Sequence, residues 1–70
     1  MTQRERILKY LDDFGSITPW DAFFDLGITK LSTRIGEIIR SGLKIEKTVV
    51  YARNRYGEKV HYMKYKKVSA

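Results

Sequence analysis

Three short helices followed by a C-terminal β-hairpin, a small and mostly helical α+β fold, is the architecture this sequence predicts. Three observations carry it. Two compact amphipathic segments are separated by Leu26-Gly27-Ile28, which reads as a tight turn. A preceding segment keeps apolar residues at helical spacing. Two alternating segments near the C-terminus flank Asn54-Arg55-Tyr56-Gly57, a four-residue turn signal.

The elements follow in order. The first helix is expected over Gln3–Phe14. Thr2 and Glu5 have capping-box spacing, and Ile7, Leu8, Leu11 and Phe14 share one face. Gly15 fits the left-handed position after the helix, and Ser16-Ile17 reads as a link or a short strand added to the hairpin. The second helix begins at Pro19, with Thr18 as N-cap and Asp21 near the positive end of the helix dipole, and runs to Leu26. Ala22, Phe23 and Leu26 should pack on the first helix, while Trp20 and Phe24 lie around the side, either closing the core edge or partly exposed. The third helix should start after Thr29 as N-cap and end near Ser41, with Gly42 as terminator.

The core stripe of that third helix is Leu31, Ile35, Ile38 and Ile39, and its outward side carries Lys30, Thr33, Glu37 and Arg40, flanked by Arg34 and Gly36. A mid-helix glycine costs about 1 kcal/mol against alanine, so Gly36 implies close approach of another helix or of a phosphate backbone. The strands are expected over Lys44–Arg53 and Glu58–Lys67. Ile45, Val49, Met63 and Tyr65 should face the core, and Val50, Ala52, Val60 and Tyr62 the other side. Leu8, Leu11, Phe23, Leu31, Ile35, Ile38 and Ile45 are expected in one core.

The chain has 70 residues, enough for one domain at most, and no cysteine, which excludes a disulfide framework and a thiolate zinc site. A reducing cytoplasm suits such a composition. No apolar run approaches a membrane span or a signal-peptide core.

The net charge is +6, unevenly spread. Residues 1–28 carry three cations and five anions, a net −2; residues 29–70 carry eleven cations and three anions, a net +8. The basic half coincides with the third helix and the hairpin, so a polyanion is the expected partner. Helix–turn–helix followed by a hairpin is the plan of a winged helix-turn-helix, whose second motif helix usually enters the DNA major groove.

The segment SITPWDAFFDLGITKLSTRI, residues 16–35, with Gly42, Ile45 and the NRYGEKVHYMKY wing, resembles a family of small helix-turn-helix domains common in bacteriophages and prophages. The resemblance covers nearly the whole chain. Two departures are Lys30 before Leu-Ser and Thr33, where alanine is frequent. The resemblance implies a winged helix-turn-helix fold that binds DNA.

On this reading the recognition-helix candidates are Thr29, Lys30, Ser32, Thr33, Arg34, Glu37 and Arg40. Arg and Lys donate to guanine O6 and N7, Thr meets a thymine methyl, and Glu accepts from cytosine N4. The wing candidates are Arg53, Asn54, Arg55, Tyr56 and Lys59, with Arg53 facing Lys59 across the strands. Like charges placed opposite each other are destabilising unless a phosphate comes between them. Lys64, Lys66 and Lys67 add general attraction. Val50, Val60 and Tyr62 are the candidate self-association residues for a homodimer, and the same apolar strip with Ala52 is the alternative docking surface for a host or phage protein.

Single-stranded RNA is a weaker expectation, because Tyr51, Tyr56 and Tyr62 lack the aromatic pattern of a sheet-type RNA binder. No enzyme, cofactor, metal, small-molecule substrate or membrane is expected. His61 is the only histidine, Ser16, Ser32 and Ser41 lack a partner base, and Asp12 and Asp13 point different ways on one helix.

Overall fold

The computed structural model describes residues Met1–Val68. Among these the chain forms α1 (Gln3–Phe14), β1 (Ser16–Ile17), α2 (Pro19–Leu26), α3 (Leu31–Arg40), β2 (Ile45–Arg53) and β3 (Lys59–Lys67). Both hairpin strands begin one residue later than expected, at Ile45 rather than Lys44 and at Lys59 rather than Glu58. The three strands form an antiparallel sheet in the order β1-β3-β2.

Local chemistry sets most of the boundaries. Thr2 accepts from the Glu5 N–H at 3.1 Å while Glu5 accepts from the Thr2 N–H at 3.0 Å, closing a capping box on α1. The backbone bond draws the Glu5 carboxyl below its usual range. Gly15 then stops the helix in the left-handed region, at φ 84°. Thr18 and Asp21 repeat the same reciprocal capping at the start of α2, with Pro19 at the first helical position. Asp21 therefore does more than complement the helix dipole. Gly27, at φ 68°, makes the turn out of α2.

α3 starts differently from the expectation. Lys30, not Thr29, occupies the N-cap, and it makes no side-chain capping bond. The cause is Ile28, which is fully buried and whose N–H is tied back to the Ala22 carbonyl at 2.9 Å. Pinning Ile28 inward consumes Thr29 in the connection.

The core joins all these elements: Ile7 and Leu11 from α1, Ile17 from β1, Ala22 from α2, Ile28 from the turn, Leu31, Ile35 and Ile38 from α3, and Tyr65 from β3. Leu8, Leu26, Leu43, Ile45 and Met63 close its edges. Burial pushes the Tyr65 hydroxyl above its ordinary range. Four expected core residues lie outside. Phe14 is 69% exposed, because it packs on the Tyr10 ring (centroids 4.6 Å apart) beyond the end of the core. Phe23 is 53% exposed, because Ala22 and Leu26, four residues apart, take the inward face of the eight-residue α2. Ile39 sits on the flank of the α3 stripe and is exposed. Val49 has the expected orientation, opposite Met63, but it lies on the edge strand β2 and is 42% exposed, while Met63 on the central strand β3 packs against the core.

β1 is two residues long and pairs only Ser16 with Lys66 and Ile17 with Tyr65. From Lys64 to the tip the sheet is a two-stranded ribbon, and the molecule measures 38 × 24 × 20 Å. The register pairs Arg53 with Lys59, Val50 with Tyr62 and Ala52 with Val60, as the alternation required.

Two polar ties brace the helices. Lys67 Nζ lies 2.9 Å from Asp12 Oδ1, joining β3 to α1. Tyr10 Oη donates to Asp25 Oδ2 at 2.7 Å, joining α1 to α2, and this bond to a carboxylate pushes the Tyr10 hydroxyl up to about 12. An unfolded tyrosine ionises near about 10. The raised folded value means that this tie contributes fully below about pH 10 and is lost as the pH rises towards about 12. Chemical denaturation of wild type and Tyr10→Phe should therefore show a stability difference at neutral pH that disappears across that alkaline window.

Candidate nucleic-acid interface

The expected contact residues fall on two surfaces of the basic half. The first is the outward face of α3. With Leu31, Ile35 and Ile38 turned into the core, helical geometry places Thr33, Gly36 and Arg40 opposite them, with Glu37 and then Arg34 on one flank and Ser32 on the other. Thr29, Lys30, Ser32, Thr33 and Arg40 are exposed. Lys30 and Arg40 enter no ion pair among the described residues.

Gly36 is informative because nothing inside the fold requires it. A Cβ built there would meet only the Arg40 guanidinium, at 3.8 Å, an ordinary contact with a flexible side chain. No neighbouring helix crowds it. Of the two approaches that a mid-helix glycine implies, that by another helix within the chain does not occur.

Arg34 and Glu37 are not free in the way the sequence suggested. Arg34 Nη1 donates to both Glu37 carboxylate oxygens, at 3.0 and 2.8 Å, and Arg4 of α1 approaches the same carboxylate at 3.9 Å. Glu37 therefore serves as an internal counter-ion, and Arg34 is half-buried rather than extended towards a ligand.

The second surface is the hairpin tip. Asn54 organises the turn: its Oδ1 accepts from the Tyr56 and Glu58 N–H groups at 2.9 and 3.0 Å, and its Nδ2 donates to Glu58 Oε1 at 3.2 Å. Arg53 Nη1 donates to the Gly57 carbonyl at 2.7 Å, and Gly57 takes φ 76°. Asn54 and Arg53 thus hold the wing in shape. Arg55 and Tyr56 stand exposed at its tip, and Lys59 lies across from Arg53. The turn chemistry explains how two like charges are tolerated face to face: the Arg53 guanidinium is drawn towards the loop carbonyl.

A family model described as a winged helix-turn-helix domain matches residues 2–66. The chain belongs to the winged helix-turn-helix domain family. No curated protein and no solved structure matches it. In the order of the winged helix-turn-helix plan, α2 and α3 correspond to the helix-turn-helix and the β2–β3 hairpin to the wing. Membership in this family supports DNA binding in general. The apolar strip expected for self-association does share one face of the wing: Val50 and Tyr62 are half-buried and Val60 is exposed.

One surface of the winged helix-turn-helix was anticipated only in part: Trp20 and Phe24 were open to partial exposure, but Phe23 was expected in the core. Trp20, Phe23 and Phe24 form an exposed cluster on α2. Trp20 and Phe24 stack with centroids 6.3 Å apart, and Phe23 meets Phe24 edge-on at 5.4 Å. Trp20 is 59% and Phe24 72% exposed. The signal was in the sequence: eight residues containing Trp20, Phe23, Phe24 and Leu26 carry more large apolar side chains than one helix face can bury. Among the described residues no acidic, histidine or cysteine cluster could hold a metal, and no helix is long and apolar enough to cross a membrane.

Proposed function

We propose that this chain is a sequence-specific double-stranded-DNA-binding protein without catalytic activity. In this reading it is a phage or prophage transcriptional regulator, or an excisionase-like recombination accessory factor, working in the bacterial cytoplasm. α3 lies in the major groove and the wing rides on the phosphate backbone. The observation that carries this reading is the outward face of α3, which combines polar and basic side chains with a glycine that internal packing does not explain. Thr33, on the first turns, offers a methyl and a hydroxyl to base edges, and Lys30 and Arg40 offer donors to guanine or to phosphate.

Selection of bound sequences from a random duplex pool tests the reading. Thr33→Ala should change the ratio of affinities for the selected site and for random duplex. Arg55→Ala should weaken binding to all duplexes alike and lower the salt slope by about one unit. An unchanged ratio for Thr33→Ala would remove α3 as the reading helix.

Regulators of this size commonly gain specificity by pairing half-sites. The strip Val50, Val60 and Tyr62 is the surface we assign to a homodimer on DNA. Sedimentation of wild type and Val50→Glu, with and without a selected site, checks it: a wild type that stays monomeric throughout excludes this role.

A second reading, a module that docks a host or phage protein, is favoured by the α2 cluster. Asp21 and Asp25 border Trp20, Phe23 and Phe24, so the surface suits an apolar partner segment with basic flanks. Its mark would be a protein complex that Phe24→Ala abolishes while duplex binding is retained.

A further inference from the structure

Glu37 offers its carboxylate to two guanidinium groups from different helices. Arg34 on α3 reaches it at 2.8 Å, and Arg4, in the first turn of α1, at 3.9 Å. The group therefore retains a net positive charge of one.

The geometry at Arg34 is incomplete. A guanidinium pairs best with an oxyanion through two nitrogens in a planar fork. Here one nitrogen, Nη1, contacts both carboxylate oxygens. Nε is shielded from solvent and has no acceptor. A shielded donor left without a partner is costly, so the arrangement favours any ligand that supplies the missing oxygen.

The space for such a ligand is present. Thr2, Gln3, Arg4, Arg34 and Glu37 line an open groove of about 360 Å³ between the start of α1 and α3. Thr2 and Glu5 cap one another, which leaves the Gln3 and Arg4 N–H groups without an intrahelical acceptor at that end. On α3, Glu37 adjoins the outward face that holds Thr33, Gly36 and Arg40, so the groove continues that face towards α1.

We infer that Arg4 and Arg34 form a clamp for one DNA phosphodiester between α1 and α3, and that Glu37 occupies it in the free protein. This rests on the DNA-binding reading above and extends the footprint to α1. On binding, a phosphate oxygen takes the place of the Glu37 carboxylate, Arg34 turns its fork to the phosphate, and Nε gains its acceptor. Because every phosphodiester is alike, the clamp contributes affinity and register but no base preference. Glu37 sets a threshold: only a polyanion whose other contacts are made displaces it.

Salt-dependent binding of the whole chain to random-sequence duplex DNA tests the clamp. Each neutralised phosphate contributes a slope of about 0.9 in the logarithm of affinity against the logarithm of salt. Arg4→Ala should lower the slope by about one unit. Arg6→Ala removes the same charge from the other flank of α1, where Arg6 lines the groove shared with α2, and should leave the slope unchanged. Glu37→Gln should raise affinity for all duplexes by about two- to fivefold, the factor a solvent-accessible surface ion pair is worth. Arg34→Lys keeps the charge without the fork and should weaken binding uniformly, with circular dichroism verifying the fold of every variant.

Equal slopes for Arg4→Ala and Arg6→Ala, or a Glu37→Gln variant no tighter than wild type, would overturn the clamp and leave the DNA reading standing. A wild-type chain with no salt-dependent affinity for duplex DNA would remove both.

Discussion

Replacing Ile35 by alanine is expected to cost about 2–5 kcal/mol of stability, the range for truncating a large aliphatic side chain in a packed core. Ile35 is fully buried at the centre of the α3 stripe, between Leu31 and Ile38. Around it the core draws side chains from α1, β1, α2, the turn and β3, so a cavity there has few ways to collapse. A domain this small has a few kcal/mol in hand at most. Thermal unfolding followed by circular dichroism should show Ile35→Ala melting far below the wild type or unfolded from the start. Ile35→Val should cost only about 0.5–1.5 kcal/mol. A melt in which both variants match the wild type would mean that α3 is not seated on the core through Ile35.

Gly36→Ala is expected to move stability and binding in opposite directions. In the free protein the added methyl meets nothing closer than the flexible Arg40 guanidinium, and Gly36 has no positive φ that alanine would strain. Alanine is the better helix former by about 0.8–1.0 kcal/mol, partly because it restricts the unfolded chain. The variant should therefore melt higher. If α3 lies against DNA through this face, the same methyl stands where a base edge or phosphate must approach. Affinity for duplex should then fall about tenfold or more, as expected when one good hydrogen bond to the DNA can no longer form. A variant that is more stable and binds equally well would show that Gly36 does not face the DNA. One that is less stable would show that its helix is constrained by something other than propensity.

The pairing of these two neighbours is instructive. Ile35 faces the core and Gly36 faces out, and each departs from helix propensity for a reason on its own side. The β-branched residue is held by packing. The glycine has no such justification within the fold, which is why the outward face of α3 carries the functional proposal.

Much of this was legible from residue order. Thr2 with Glu5, Thr18 with Pro19, and Gly15, Gly27 and Gly57 are local signals, each acting over a few residues through capping bonds or backbone freedom, so the chain's own covalent neighbourhood determines them. The alternation from Ile45 to Tyr65 fixed the strand register and the Arg53–Lys59 pairing for the same reason. The concentration of positive charge in residues 29–70, and with it the expectation of a polyanion, likewise needs no coordinates.

What periodicity left open was settled by size and reach. Ala22 rather than Phe23 faces inward because a short helix presents one face, and Phe14 is exposed because the core ends before it. Ile28 lies in a turn, where no period operates, yet its burial moves the start of α3 from Thr29 to Lys30.

The site divides along the same line. Which charges exist was written in the sequence. That Glu37 is held by both Arg34 and the sequence-distant Arg4, that Asn54 is spent on its own turn, and that Arg53 reaches the Gly57 carbonyl depended on side-chain geometry. Ion pairs between elements form wherever packing brings the elements together. The sequence by itself determined the elements, the register and the charged half of this protein; only the tertiary structure decided which of its charges are free to meet a ligand, because that depends on which side chains the packed helices and the closed turn have already engaged.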